Sequence, residues 1–158
     1  MKKKQVRVLT YGTYDLITPG HIQHLKESKA MGDYLIVGLS TDEFNAIKHK
    51  RSYLTYDERK IVMEAIKYVD EVIPECDWDQ KPGDIKKYNI DILTMGSDWE
   101  GNPKFEYLKE YCDVRFTERP FIWSSTAFRE NVDKYVKEIE AASFEEEDKK
   151  EKKSKKKK

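Results

Sequence analysis

Thr18-Pro19-Gly20-His21 is the stretch whose residue types and spacing could do chemistry. A hydroxyl residue, a proline and a glycine ahead of an amphipathic run mark a helix start. The first turn of a helix carries N–H groups without intrahelical partners and a partial positive charge. That makes it a ready site for an anion, phosphate above all. Gly12 lets backbone approach a ligand closely, Thr13 and Thr18 offer hydroxyls, and His21 can point an imidazole at the same anion. The plainer reading is a turn in which Pro19 and Gly20 supply geometry and His21 is a surface residue.

Further candidates follow along the chain. Lys48-His49-Lys50-Arg51 sets fixed positive charges side by side, either as a solvated run or as a lid that neutralises phosphates. Arg59 opens a helix and reads as a surface arginine unless a site uses it. Trp78 is either core or site, and Asp98 lies in a polar loop. Arg119 can fork onto phosphate oxygens. Ser124, Ser125 and Thr126 supply hydroxyls at another helix start, which suits a triphosphate and is equally the chemistry of an N-cap.

The elements that must position these residues alternate between strand and helix patterns. Strands are predicted over Val6–Leu9, Tyr34–Leu39, Glu71–Ile73, Ile90–Met95 and Val114–Phe116. Helices are predicted from Gly20 to a stop at Gly32, from Arg59 to Tyr68 behind a Thr55/Glu58 capping box, from Asp84 to Tyr88, from Phe105 to Tyr111, and from a Ser124 or Ser125 cap to Ala142. Asn45–Tyr53 reads as a basic loop. This alternation implies one Rossmann-like, doubly wound α/β domain: a five-stranded parallel sheet with helices on both faces and right-handed crossovers. Ligands of such sheets bind beyond the carboxyl ends of the strands. The loops at Gly12–His21, Ser40–Asp42, Gly96–Glu100 and Arg119–Thr126 all follow strands and are expected to converge there.

Composition bounds the function. With 158 residues, a single domain is expected, at residues 1–143, followed by a disordered charged tail over residues 144–158. From Glu145 to Lys158 there are eight lysines and five acids, so the tail nets +3 and the remainder of this net-neutral chain −3. Neither sum suggests a nucleic-acid binder. Cys76 and Cys112 have no metal or redox spacing. Without a long apolar run or a secretory segment, the chain is expected to be soluble and cytoplasmic, with no membrane span.

The motifs also carry a resemblance. Gly12-Thr13-Tyr14-Asp15-Leu16 with Thr18-Pro19-Gly20-His21 resembles the nucleotide-binding signature of the cytidylyltransferase family, written H-x-G-H, or T-x-G-H in related adenylyltransferases. Lys48-His49-Lys50 resembles its K-x-K, Asp57-Glu58-Arg59-Lys60 its E-x-R-K, and Lys67-Tyr68-Val69-Asp70 its R-Y-V-D. Trp78-Asp79-Gln80-Lys81 matches W-x-Q-K, and Met95 to Gly101 is close to M-G-x-D-W-E-G. Arg119 with Ser124-Ser125-Thr126 matches R-T-x-G-I-S-[ST]-T, although Ile122 and Trp123 replace Gly and Ile. The likeness runs from about residue 5 to residue 130 and falls in the family's glycerol-3-phosphate branch. Two departures stand out: Thr18 where the first His is usual, and Lys67 where Arg is usual.

The resemblance implies roles. His21, Thr18, Lys50 and Arg119 would be the catalytic set. Thr13, Tyr14, Thr18, His21, Lys50, Asp98, Arg119, Ser124, Ser125 and Thr126 would bind nucleotide, while Lys48 and Lys81 would hold the acceptor. Asp15, Asp42 and Asp98 would shape the site or partner a cation. The implied reaction joins CTP and sn-glycerol 3-phosphate into CDP-glycerol and pyrophosphate, with Mg²⁺ on the phosphate oxygens, in a homodimer feeding teichoic-acid or capsule polymers. Alternatives are cytidylyl or adenylyl transfer to another phosphorylated acceptor, or a non-catalytic nucleotide-binding module.

Overall fold

The structure, a computed structural model, describes residues 4–118 and 128–142. Arg119, Ser124, Ser125, Thr126 and the 144–158 tail lie outside the described residues. In chain order the elements are β1 (Arg7–Gly12), α1 (Pro19–Ala30), β2 (Tyr34–Ser40), α2 (Asp42–Ile47), α3 (Tyr56–Glu64), β3 (Glu71–Glu75), α4 (Lys81–Lys87), β4 (Ile92–Gly96), α5 (Pro103–Glu106) and β5 (Asp113–Thr117). Residues 128–142 form a further helix, α6. Short 3-10 turns cover Ser97–Trp99 and Tyr107–Glu110.

All five strands are parallel, in the order β3-β2-β1-β4-β5. The chain winds outward from β1 through β2 to β3, then crosses back to place β4 on the other side of β1. The strand order therefore reverses between β1 and β4, and the gap beyond their carboxyl ends is where such a sheet binds ligands.

Alternation along the central strands builds two cores. Leu9, Ile36 and Leu93 face one side, where Ile85 of α4 and Phe105 of α5 cover them. Val8, Leu35, Val37 and Ile92 face the other, against Leu25 of α1 and Met63 of α3. A parallel sheet buried on both faces needs apolar residues at successive positions, which the Tyr34–Leu39 run supplies.

Several boundaries differ from the sequence expectation, each for a local reason. Helix α2 runs on to Ile47 inside the stretch read as loop, because Thr41 caps it by accepting from the Phe44 N–H. Helix α3 starts at Tyr56 and stops at Glu64, and its inward residues are Arg59 and Met63; Ile61 is 69% exposed. Pro74 does not end β3: the strand continues to Glu75, since an edge strand tolerates a missing N–H. Helix α4 begins three residues early, with Pro82 in its first turn, where the lost donor costs nothing.

Candidate active site

The carboxyl ends of β1 and β4 open into a cavity of about 350 Å³. Its wall includes Gly12 at the end of β1 with Thr13, Tyr14 and Asp15 after it, His21 of α1, Lys48, Lys50 and Arg51 after α2, and Gly96 at the end of β4 with Asp98 after it. Most of the residues singled out from the sequence thus meet at one rim.

Thr18 is the N-cap of α1 and His21 its third residue, in a capping-box arrangement. The box usually pairs Ser or Thr with Glu or Gln; here an imidazole takes the acceptor's part. The Thr18 N–H donates to His21 Nδ1 at 3.1 Å, and Thr18 Oγ1 lies 3.2 Å from the same nitrogen. An Nδ1 that accepts cannot carry the proton of a neutral imidazole, so that proton sits on Nε2. Helix capping therefore sets the tautomer, leaving Nε2 as the donor of a side chain that lines the cavity. The Tyr14 ring packs edge-on against His21, centroids 5.3 Å apart.

Tyr14 holds that place from a left-handed backbone, φ 45°. Its ring folds back over Gly12, where a Cβ would come within 2.7 Å of the ring. The absence of a side chain at Gly12 is thus what makes room for the Tyr14 ring. Asp15 is buried and shapes the loop: it accepts from the Tyr53 and Leu54 N–H groups, both at 2.9 Å, and pairs with Arg129 of α6 at 2.6 Å. Arg129 also lines the cavity. Nothing in the sequence pattern distinguished it from the other charges of its helix.

The basic loop is arranged by one residue. His49 adopts φ 55°, and the turn closes with the His49 N–H on the Ala46 carbonyl and the Lys50 N–H on that of Asn45. Lys48 and Lys50 both line the cavity, while His49 is exposed outside the lining. Asn45 anchors this loop to the first one, accepting from Thr13 Oγ1 at 2.9 Å and donating to Ser52 at 3.0 Å.

Arg59 is 0% exposed and is a clamp. Its guanidinium donates to the Thr13 carbonyl at 2.8 Å, the Ser40 carbonyl at 2.7 Å, the Leu54 carbonyl at 3.2 Å and Asp42 at 2.7 Å. It fastens the loops after β1 and β2 to the start of α3. Asp42 accepts both from Arg59 and from the Tyr56 N–H. Asp70 does similar work at the opposite edge, accepting from the Leu35 N–H and from Lys29.

Beyond Lys48 lies a second cluster. Glu75, at the end of β3, is 3% exposed and lines the cavity. It accepts from Ser40 Oγ at 2.6 Å and Lys81 Nζ at 2.9 Å, and Lys48 Nζ stands 3.8 Å away. Lys48 also donates to Ser40 Oγ at 2.7 Å. Burial, opposed by Glu75 and reinforced by the neighbouring cations, brings the Lys48 ammonium down to about 8. Lys81 is itself 0% exposed and sits behind Glu75, outside the cavity lining. Glu75 was missed from the sequence, where it fell beyond a strand read as Glu71–Ile73. Its position at a carboxyl end was the available signal.

His24, also missed, lines the cavity one turn after His21. It is buried between hydroxyls, with Nε2 2.8 Å from Thr10 Oγ1 and Nδ1 2.5 Å from Thr117 Oγ1. Both cysteines are free thiols, and burial pushes Cys112 up to about 11. Among the described residues, no helix is long and apolar enough to cross a membrane.

Known proteins resemble this chain in sequence and in fold. A family model described as cytidylyltransferase-like matches residues 9–146. The chain is 52% identical over 126 residues to the glycerol-3-phosphate cytidylyltransferase of Staphylococcus aureus, covering 80% of this chain and 94% of that one. It is 50% identical to the Bacillus subtilis protein of the same name, covering 80% and 96%. Among solved structures, the lipopolysaccharide core biosynthesis protein from Thermoplasma volcanium GSS1 superposes with a TM-score of 0.63 at 26% identity, covering 74% of this chain and 98% of that one. The strand order, the helix-start histidine, the paired lysines and these matches together mean that the chain belongs to the cytidylyltransferase-like family.

Proposed function

We propose that the protein forms CDP-glycerol and pyrophosphate from CTP and sn-glycerol 3-phosphate. An oxygen of the acceptor phosphate attacks the α-phosphorus of CTP in line. The new O–Pα bond forms as the bond from Pα to the β-phosphate oxygen breaks, and pyrophosphate leaves with that electron pair. A phosphate monoester is mostly dianionic at neutral pH, its second pKa being about 6, so no general base is required. Catalysis is then positioning and charge stabilisation.

The observation that carries this reading is the convergence of His21, Lys48 and Lys50 on one cavity at the strand-order reversal. His21 donates from Nε2 to the transferring phosphate, with Thr18 holding its ring. Lys50 steadies the triphosphate, helped by Arg119. Lys48 receives the acceptor phosphate, next to Glu75 and Lys81. Thr13, Tyr14 and Asp98 add to the nucleotide's surroundings, and the Ser124–Thr126 hydroxyls are assigned to it by resemblance alone. Mg²⁺ suits this site as a metal carried on the nucleotide. Among the described residues no group of three metal-ligating side chains converges, and Mg²⁺ takes phosphate oxygens and waters readily. When bound, it would offset charge on the triphosphate.

Pyrophosphate release from CTP, Mg²⁺ and glycerol 3-phosphate tests the proposal. No release with any phosphorylated acceptor, at high enzyme, would end it. A homodimer in the cytoplasm, supplying teichoic-acid or capsule synthesis, belongs to the same proposal. Sedimentation analysis and cell fractionation check the first two parts.

A further inference from the structure

The surroundings of Lys81 are those of an ammonium receptor. Its Nζ lies 4.7 Å from the Tyr11 ring centroid, 4.8 Å from Trp78 and 5.6 Å from Phe105. The Glu75 carboxylate closes the box at 2.9 Å. Aromatic faces around a carboxylate are how proteins bind ligand ammonium groups. The box adjoins the cavity: Tyr11, Trp78, Phe105 and Glu75 line it, while Lys81 does not. The same carboxylate is 3.8 Å from Lys48 Nζ. A phosphate held at Lys48 therefore puts the other end of a small acceptor beside Glu75.

We propose that this box is an ammonium site which the chain fills with its own Lys81, and that self-occupancy excludes amino-alcohol phosphates as acceptors. With Lys81 in place, an acceptor's ammonium would meet a resident positive charge and a carboxylate already neutralised by it. A neutral hydroxyl meets no such penalty. An ionised carboxylate has about four lone-pair sites; Ser40 and Lys81 use two, leaving acceptor capacity for a diol. Lys81 acts through Glu75 as a positioning residue, and Glu75 reads the hydroxyl end of the acceptor. This rests on the proposed cytidylyl transfer for its substrate class, but the box itself can be tested without turnover.

The experiment uses full-length protein with CTP and Mg²⁺, comparing glycerol 3-phosphate with phosphoethanolamine. Wild type is expected to prefer glycerol 3-phosphate in kcat/KM by at least on the order of 100-fold, since opposing like charges costs several kcal/mol. Lys81→Ala removes the side chain beyond Cβ, a propylammonium fragment, and should cut that preference at least about tenfold, one such step being about 1.4 kcal/mol. The double variant Lys81→Ala/Glu75→Gln should lose the gain. Independently of activity, n-propylammonium should raise the melting temperature of Lys81→Ala but not of wild type or the double variant. If Lys81→Ala folds only with added propylammonium, that too is the expected behaviour. A wild type that accepts phosphoethanolamine equally well would overturn the proposal. So would a Lys81→Ala protein whose selectivity, melting and refolding all ignore the amine. Absence of turnover in wild type with either acceptor would instead count against cytidylyl transfer, and the melting arm would still decide the box.

Discussion

His21 depends on a backbone N–H one turn earlier. Because the Thr18 N–H faces Nδ1, a neutral ring carries its proton on Nε2, the nitrogen from which the proposed donation to phosphate is made. Replacing His21 by Ala should lower kcat by about 10²–10³-fold, the range for losing one preorganised donor. CTP affinity measured by calorimetry should change far less; equal losses in both would make His21 a binding residue only. Lys48 makes a pH-dependent prediction. Its ammonium is held at about 8, chiefly by burial, so it is charged below that pH and loses its charge as pH rises through it. The acceptor becomes a dianion above about pH 6. Acceptor kcat/KM should thus peak between these values and fall above pH 8. Lys48→Arg, which keeps its charge, should remove the alkaline fall. A wild-type profile flat to about pH 9.5 would contradict the assignment, because kcat/KM reports the free enzyme's ionisations.

At the scale of elements, the rim is held together by side chains that reach between loops. Arg59 ties the ends of β1 and β2 to α3 through three carbonyls and one carboxylate. Truncating it to Ala leaves buried acceptors unsatisfied, at about 1–3 kcal/mol each before relaxation. A net loss of about 3 kcal/mol, or roughly 6–12 °C in melting temperature for a chain of this size, is expected. The loss should appear in apo protein, setting Arg59 apart from residues that touch only substrate. A melting temperature unchanged in apo protein would remove the clamp. The capping of α2 by Thr41 and the left-handed turn at His49 likewise decide where Lys48 and Lys50 stand, before any ligand arrives.

For the whole molecule, ligand binding and folding are linked, since the cavity exists only when β1, β4 and α2 are assembled. CTP at about 100 times its dissociation constant should add about 2.7 kcal/mol, and ATP at the same concentration much less; an equal shift would favour adenylyl transfer. The sequence by itself determined the strand–helix alternation and the parallel α/β class, and it marked the start of α1 as a candidate anion site. Each of these is written in local patterns: apolar runs of strand length, cap residues, and Pro-Gly before an amphipathic stretch. It also gave Lys48 and Lys50 by resemblance. Only the tertiary structure decided the rest. Glu75 and Lys81 lie six positions apart around a loop, and the rings that enclose the ammonium come from β1, the loop before α4, and α5. Arg59 reads in sequence as one more charge of a polar helix, yet packing leaves it no solvent at all. Pattern reading detects periodicity within an element; a buried ion pair or an aromatic box is a relation between elements, set by which strand lies beside which.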